Sequence, residues 1–117
     1  MTRKRSNPDF MNGVPELLVL QLLSKTEMYG YEIVRAIERS TMSSISFGEG
    51  VVYPLLHGLE RDGCLASRRA TASGRTRVYY RVTAKGRRHL KGAVTDWARA
   101  TTAIARIVGR PSYAGID

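Results

Sequence analysis

The sequence predicts a mostly α chain with a small β-hairpin, arranged as a winged helix-turn-helix plus a C-terminal dimerisation helix. Three observations lead there. Apolar residues recur at helical spacing in four separate segments, one later stretch alternates with period two, and the last helix carries an apolar stripe left over after the core is accounted for.

Residues 1–11 read as a flexible basic arm. Met-Thr-Arg-Lys-Arg-Ser-Asn-Pro carries charge without the apolar stretch that a secretory signal needs behind it. The first helix runs from about Asn12 to Ser24, with Asn12 as its cap and Pro15 in the first turn, where no backbone donor is required. Val14, Leu17, Leu18, Val19, Leu20, Leu22 and Leu23 cover most of its circumference, so more than one neighbour must bury it, and a second subunit would supply part of the cover. The second helix, about Gly30 to Ser40, has a single stripe of Ile33, Val34 and Ile37, with Glu32, Arg35, Glu38 and Arg39 facing water.

The third helix spans about Phe47 to Arg61 and opens on a capping-box spacing from Ser46 to Glu49. Val52, Leu55, Leu56 and Leu59 form its core stripe, which leaves Tyr53 and His57 on the outward face. Pro54 predicts a kink or a late start, and Asp62-Gly63 ends the helix. A strand from about Leu65 to Arg69 follows, then a polar Ala-Thr-Ala-Ser-Gly tip and a strand from Arg75 to Val82. In the second strand Val78, Tyr80 and Val82 alternate with Arg77, Tyr79 and Arg81, the pattern of a half-exposed hairpin. Residues 12–83 are thus one winged helix-turn-helix domain.

Thr83 caps the last helix, residues 84–108, and Gly109 closes it. Leu90, Val94, Trp97, Thr101, Ile104 and Val108 recur at spacings of four and three, a heptad seam. A self-associating helix is the natural way to bury it. The expected homodimer interface is therefore Leu90, Val94, Trp97, Ile104 and Val108, with Leu18 and Leu22 of the first helix. Residues 109–117 read as a flexible tail.

A chain of 117 residues holds one domain with a modest core. Its 19 Lys+Arg against 10 Asp+Glu leave +9, which favours a polyanionic partner, either nucleic acid or an anionic membrane surface. The longest apolar stretch, Val14 to Leu23, is about ten residues, too short to span a bilayer. Cys64 is the single cysteine, so neither an internal disulfide nor a Cys-based metal site is expected, and a buried thiol suits a cytoplasmic protein. Two histidines, one cysteine and scattered carboxylates show no nucleophile–base or metal-ligand spacing, which argues against an enzyme, a metal or a cofactor.

Helix, turn, helix and basic hairpin suit duplex DNA for a physical reason. A helix fits the major groove, where base edges are distinguishable, while arginines on an adjoining loop hold phosphate or the minor groove. The third helix is the recognition helix in this reading and the hairpin is the wing. Candidate DNA contacts are Tyr29 and Tyr31 at the start of the second helix, Ser46, Glu49, Tyr53 and His57 on the third, and Arg75 and Arg77 near the wing tip. Tyr29 and Tyr31 have an alternative, since at least one of them could pack under the hairpin. Gly48-Glu49-Gly50 supplies few long donors, although Glu49 could accept from cytosine N4, so the weight falls on Tyr53, His57 and the wing. His89, on the polar side of the last helix, has no specific role in this reading.

Three segments resemble the PadR-like regulators. They are Tyr29-Gly30-Tyr31-Glu32-Ile33, the Gly-x-x-Tyr-Pro-x-Leu-x-x-Leu-Glu-x-x-Gly stretch from Gly50 to Gly63, and Tyr80-Arg81-Val82-Thr83-Ala84-Lys85-Gly86 after the wing. The resemblance covers about residues 12–108. It implies a winged-helix fold, a homodimer built through the first and last helices, and repression relieved by a small-molecule or stress signal. The chain looks most like the compact branch with a single C-terminal helix. In multidrug-binding members of that branch a tryptophan in this helix stacks on planar aromatic ligands, and Trp97 occupies the matching place. Packing across the dimer is its default role. The alternative to a DNA-binding repressor is a dimeric small-molecule sensor or adaptor acting through a protein partner.

Overall fold

The computed structural model describes residues 13–110. The element order is α1 (Val14–Leu23), β1 (Met28–Tyr29), α2 (Gly30–Ser40), α3 (Glu49–Arg61), β2 (Leu65–Ala72), β3 (Arg75–Val82) and α4 (Ala84–Val108). The expected arm over residues 1–11, the Asn12 cap and the tail beyond residue 110 lie outside the described residues. Gly13 takes the N-cap position of α1, with φ at 89° and Pro15 in the first turn.

α1 packs against α2, α3, β3 and α4, the several-sided cover that its nearly uniform apolar surface requires. Val19, Leu20 and Leu23 are buried, while Leu17, Leu18 and Leu22 are partly buried against the same core. Ile33, Val34 and Ile37 from α2, Val52, Leu56 and Leu59 from α3, and Leu65, Tyr80 and Val82 from the sheet complete it, with Cys64 buried among them. Leu90 of α4 also belongs to this core. The apolar stripe of α4 is thus anchored in the core at Leu90 and emerges beyond it.

The sheet is larger than the hairpin expected. Its strand order is β1-β3-β2, all antiparallel. Met28 and Tyr29 pair with Tyr80 and Tyr79, adding a short third strand. β2 runs three residues past the expected Arg69, to Ala72, which pairs with Arg75. The tip is therefore only Ser73-Gly74, with φ values of 53° and 76°, the two left-handed residues that a tight I′ hairpin turn needs.

α3 starts at Glu49, later than Phe47, and passes through Pro54 without interruption. The expected Ser46–Glu49 capping box is absent. Gly48 occupies the N-cap without a side-chain cap bond, and the Ser46 hydroxyl donates instead to Glu38 Oε2 at 2.8 Å. A carboxylate half of such a box does occur at α2, where the Tyr29 N–H donates to Glu32 Oε1 at 3.0 Å.

The end of α3, the wing base and the start of α4 are tied together. Gly63 at φ 83° closes a Schellman motif, in which Cys64 N–H donates to the Leu59 carbonyl and Gly63 N–H to that of Glu60. The Thr83 hydroxyl accepts from Gly86 N–H at 3.1 Å and donates to the Gly63 carbonyl at 2.6 Å. Lys85 Nζ donates to the Asp62 carbonyl at 2.7 Å. Gly86 leaves no room for a side chain: a Cβ there would stand 2.1 Å from the Cys64 carbonyl oxygen.

Candidate nucleic-acid interface

The start of α2, the outer side of α3 and the wing meet around one cleft of about 300 Å³, lined by Tyr29, Gly30, Tyr53, His57, Thr76 and Arg77 among others. Gly30 makes that meeting possible. A Cβ at this position would lie 2.3 Å from Tyr53 Cε1, so only glycine admits the ring. Tyr53 was expected on the outward face of its helix. Its ring instead sinks partly against Gly30 and packs on the core, while its neighbour His57 stays exposed with ring centroids 6.5 Å apart. Partial burial pushes the Tyr53 phenol above its usual range, and the negative potential of Glu49 and Tyr29 adds to the shift.

Tyr29 lies in β1 at the threshold of α2. Its ring meets the edge of Tyr79 at 5.5 Å, and the Arg77 guanidinium stacks over it at 4.3 Å from the centroid. Beyond Tyr79, Arg68 covers that ring at 5.1 Å and directs its Nε to both Glu27 carboxylate oxygens, at 3.0 and 3.1 Å, with Nη2 engaging Oε2 as well. The hydrogen bond from Arg68 holds the Glu27 carboxyl below the ordinary glutamate range against the opposing effect of desolvation. Local sequence pattern marks neither Glu27 nor Arg68, and it marks Tyr79 only as an outer-face residue of the hairpin.

The other candidate contacts are more dispersed. Tyr31 is 46% exposed on α2, and its hydroxyl accepts from Arg35 Nη1 at 3.0 Å. Glu49 is exposed in the first turn of α3. Ser46 is exposed but turned toward α2 through Glu38. Arg75 is exposed at the beginning of β3 beside the wing turn.

A second surface lies at the opposite end of the chain. Val94, Trp97, Ile104, Ile107 and Val108 all stay exposed on α4, Trp97 to 53%. Trp97 borders a cleft of about 630 Å³ between α1 and α4, together with Glu16, Leu17, His89, Asp96 and Ala100. His89, to which the sequence assigns no role, meets the Glu16 carboxylate and links α4 to α1. Thr101 turns its hydroxyl back to the Trp97 carbonyl at 3.1 Å, which satisfies the polar member of the seam.

The PadR-like transcriptional regulator family model matches residues 19–92, from the middle of α1 into α4. The chain belongs to the PadR-like family. It is 32% identical over 106 residues to a transcriptional regulator of Mycobacterium tuberculosis, spanning 90% of this chain and 92% of that one. A transcriptional regulator from Clostridium thermocellum superposes with a TM-score of 0.79 at 28% identity, over 86% of this chain and 99% of the other. A PadR family regulator from Eggerthella lenta gives a TM-score of 0.75 at 27% identity, covering 88% of each chain. This PadR-like protein is thus a transcriptional regulator with a winged helix-turn-helix fold. Among the described residues, no helix is long and apolar enough to cross a membrane.

Proposed function

We propose that the protein is a homodimeric repressor that binds double-stranded operator DNA, α3 of each subunit entering a major groove and the wing holding the adjoining backbone. The observation that carries this reading is the convergence of His57, Tyr53, Tyr29 and Arg77 on one open cleft between α3 and the wing of a +9 chain. A helix edge and a cationic hairpin are held side by side, the separation of labour that groove readout and phosphate grip require. Arg75 extends the cationic surface to the wing turn, and Tyr31 and Glu49 flank it.

The exposed stripe of α4 supports the dimer. Val94, Trp97, Ile104 and Val108 repeat at seam spacing and stay 39–73% exposed in the single chain, with Leu18 and Leu22 only partly covered on α1. The α1–α4 cleft beside Trp97 favours relief of repression by a planar aromatic effector that stacks on the indole.

The test is a gel-shift titration on the promoter of the protein's own gene against random duplex competitor, repeated over a range of salt. The wild type is expected to prefer the promoter. Arg75→Ala is expected to weaken binding to all sequences and to lower the salt slope by about one unit, since one phosphate contact is lost. Equal affinity and slope for Arg75→Ala would remove the wing from the interface. Weak, indifferent binding by the wild type would favour an adaptor that works through a protein partner.

A further inference from the structure

Four side chains on the outer face of the three-stranded sheet, Arg68, Tyr79, Tyr29 and Arg77, form one continuous stack that Glu27, just before β1, closes at the Arg68 end. The register builds it. Arg68 of β2 and Tyr29 of β1 both stand opposite Tyr79 of β3, and Arg77 lies two residues before Tyr79 on the same face. Two phenol rings lie between two guanidinium groups along it, from the Glu27–Arg68 ion pair at one end to Arg77 at the mouth of the α3–wing cleft at the other.

An exposed ion pair of this kind adds little to stability, because water and salt screen it and two long side chains lose freedom to form it. Its geometry can still matter. Arg68 approaches both carboxylate oxygens through Nε, a planar engagement that fixes the guanidinium over Tyr79 rather than merely near it. Tyr79 then presents its ring to Tyr29 at an interplanar angle of 79°, and Tyr29 supplies the face on which Arg77 rests. An arginine already stacked in place loses less rotamer entropy when a phosphate arrives than one free in solvent.

We propose that Glu27 and Arg68 are positioning residues of the DNA site, their ion pair holding Arg77, through Tyr79 and Tyr29, where a backbone phosphate docks. This rests on the DNA-binding reading above. It also makes a counter-intuitive demand: an acidic residue near the DNA surface promotes binding.

Glu27→Gln supplies the test because plain electrostatics predicts the opposite sign. The substitution raises the net charge from +9 to +10 and frees Arg68, so without positioning it should tighten binding and steepen the salt slope. Positioning predicts an affinity loss of about five-fold on the promoter duplex with the slope unchanged, because no phosphate contact is removed. Arg68→Lys, which keeps the charge but loses the planar engagement, should lose a similar amount. In an Arg77→Ala background, Glu27→Gln should have no further effect, since nothing is left to position. Tighter binding by Glu27→Gln, or the same loss with and without Arg77, would overturn the positioning role while leaving DNA binding intact. A wild type that shows no preference for the promoter in the same titration would instead overturn the reading on which the proposal rests.

Discussion

Gly86→Ala should damage this protein far more than a helical glycine-to-alanine change ordinarily does. In most helices the substitution gains up to about 1 kcal/mol from reduced backbone freedom in the unfolded chain. Here the new methyl would stand 2.1 Å from the Cys64 carbonyl oxygen and 2.8 Å from Val82 Cγ1, against an ordinary contact distance of 3.4–4 Å. The nearest obstacle is backbone, so rotating a side chain cannot relieve it. The start of α4 has to move off β2 by more than an ångström, which strains the Thr83–Gly86 and Thr83–Gly63 hydrogen bonds and the Cys64–Thr83 bond beside them. Overpacking costs about 1–3 kcal/mol, and each weakened hydrogen bond about 0.5–1.5 kcal/mol more. Set against a gain of at most about 1 kcal/mol, the net loss over the three strained bonds and the overpacking is roughly 2–6 kcal/mol, or a Tm lower by about 10 °C or more. Thermal denaturation followed by circular dichroism measures it. Gly58→Ala in α3 is the control, because its added Cβ meets only the flexible Arg61 guanidinium at 3.5 Å, and its Tm should rise slightly. A Gly86→Ala protein as stable as Gly58→Ala would refute the reasoning that steric exclusion, and not helix propensity, governs this position.

Two further outcomes follow from the surfaces. Ile104, 50% exposed on α4, is expected in the subunit seam, so Ile104→Asp should bury an unpaired carboxylate at a cost of several kcal/mol and yield a folded monomer at micromolar concentration by light scattering, whereas a persistent dimer would place the seam elsewhere. Arg68 depresses the Glu27 pKa, so the stability it contributes is present in full above the ordinary glutamate value of 4.5 and is lost as the pH falls through the depressed one. The Tm difference between wild type and Glu27→Gln should therefore shrink on acidification below that value; a difference that grows would reverse the sign of the interaction.

The four helices and the main hairpin were legible because each depends on local periodicity. The stripes Ile33–Val34–Ile37 and Val52–Leu56–Leu59 identify both the element and its buried face. What escaped depends on contacts between distant segments. Met28–Tyr29 is too short to show a period and becomes a strand only because the free edge of β3 lies beside it. Ser46 has the spacing of a capping box, but the turn before α3, with Met42 and Ser43 left-handed at φ 52° and 65°, delivers its hydroxyl to Glu38. Tyr53 reads as outward from its helical phase, yet the missing side chain at Gly30 lets the ring sink inward. Glu27 and Arg68 are 41 positions apart, and nothing local marks them as partners. Leu90 shows the limit of periodicity in the other direction. The spacing finds the face it shares with Val94 and Trp97 but not that the core of the same chain already covers it.

Hydroxyl-radical footprinting of the promoter duplex tests the central claim most directly. Two α3 helices joined through paired α4 seams should protect two patches on one face of the DNA, centred about one helical turn apart, or a multiple of it, around a pseudo-palindrome. A single isolated patch, or uniform protection without a boundary, would contradict paired insertion of the recognition helices.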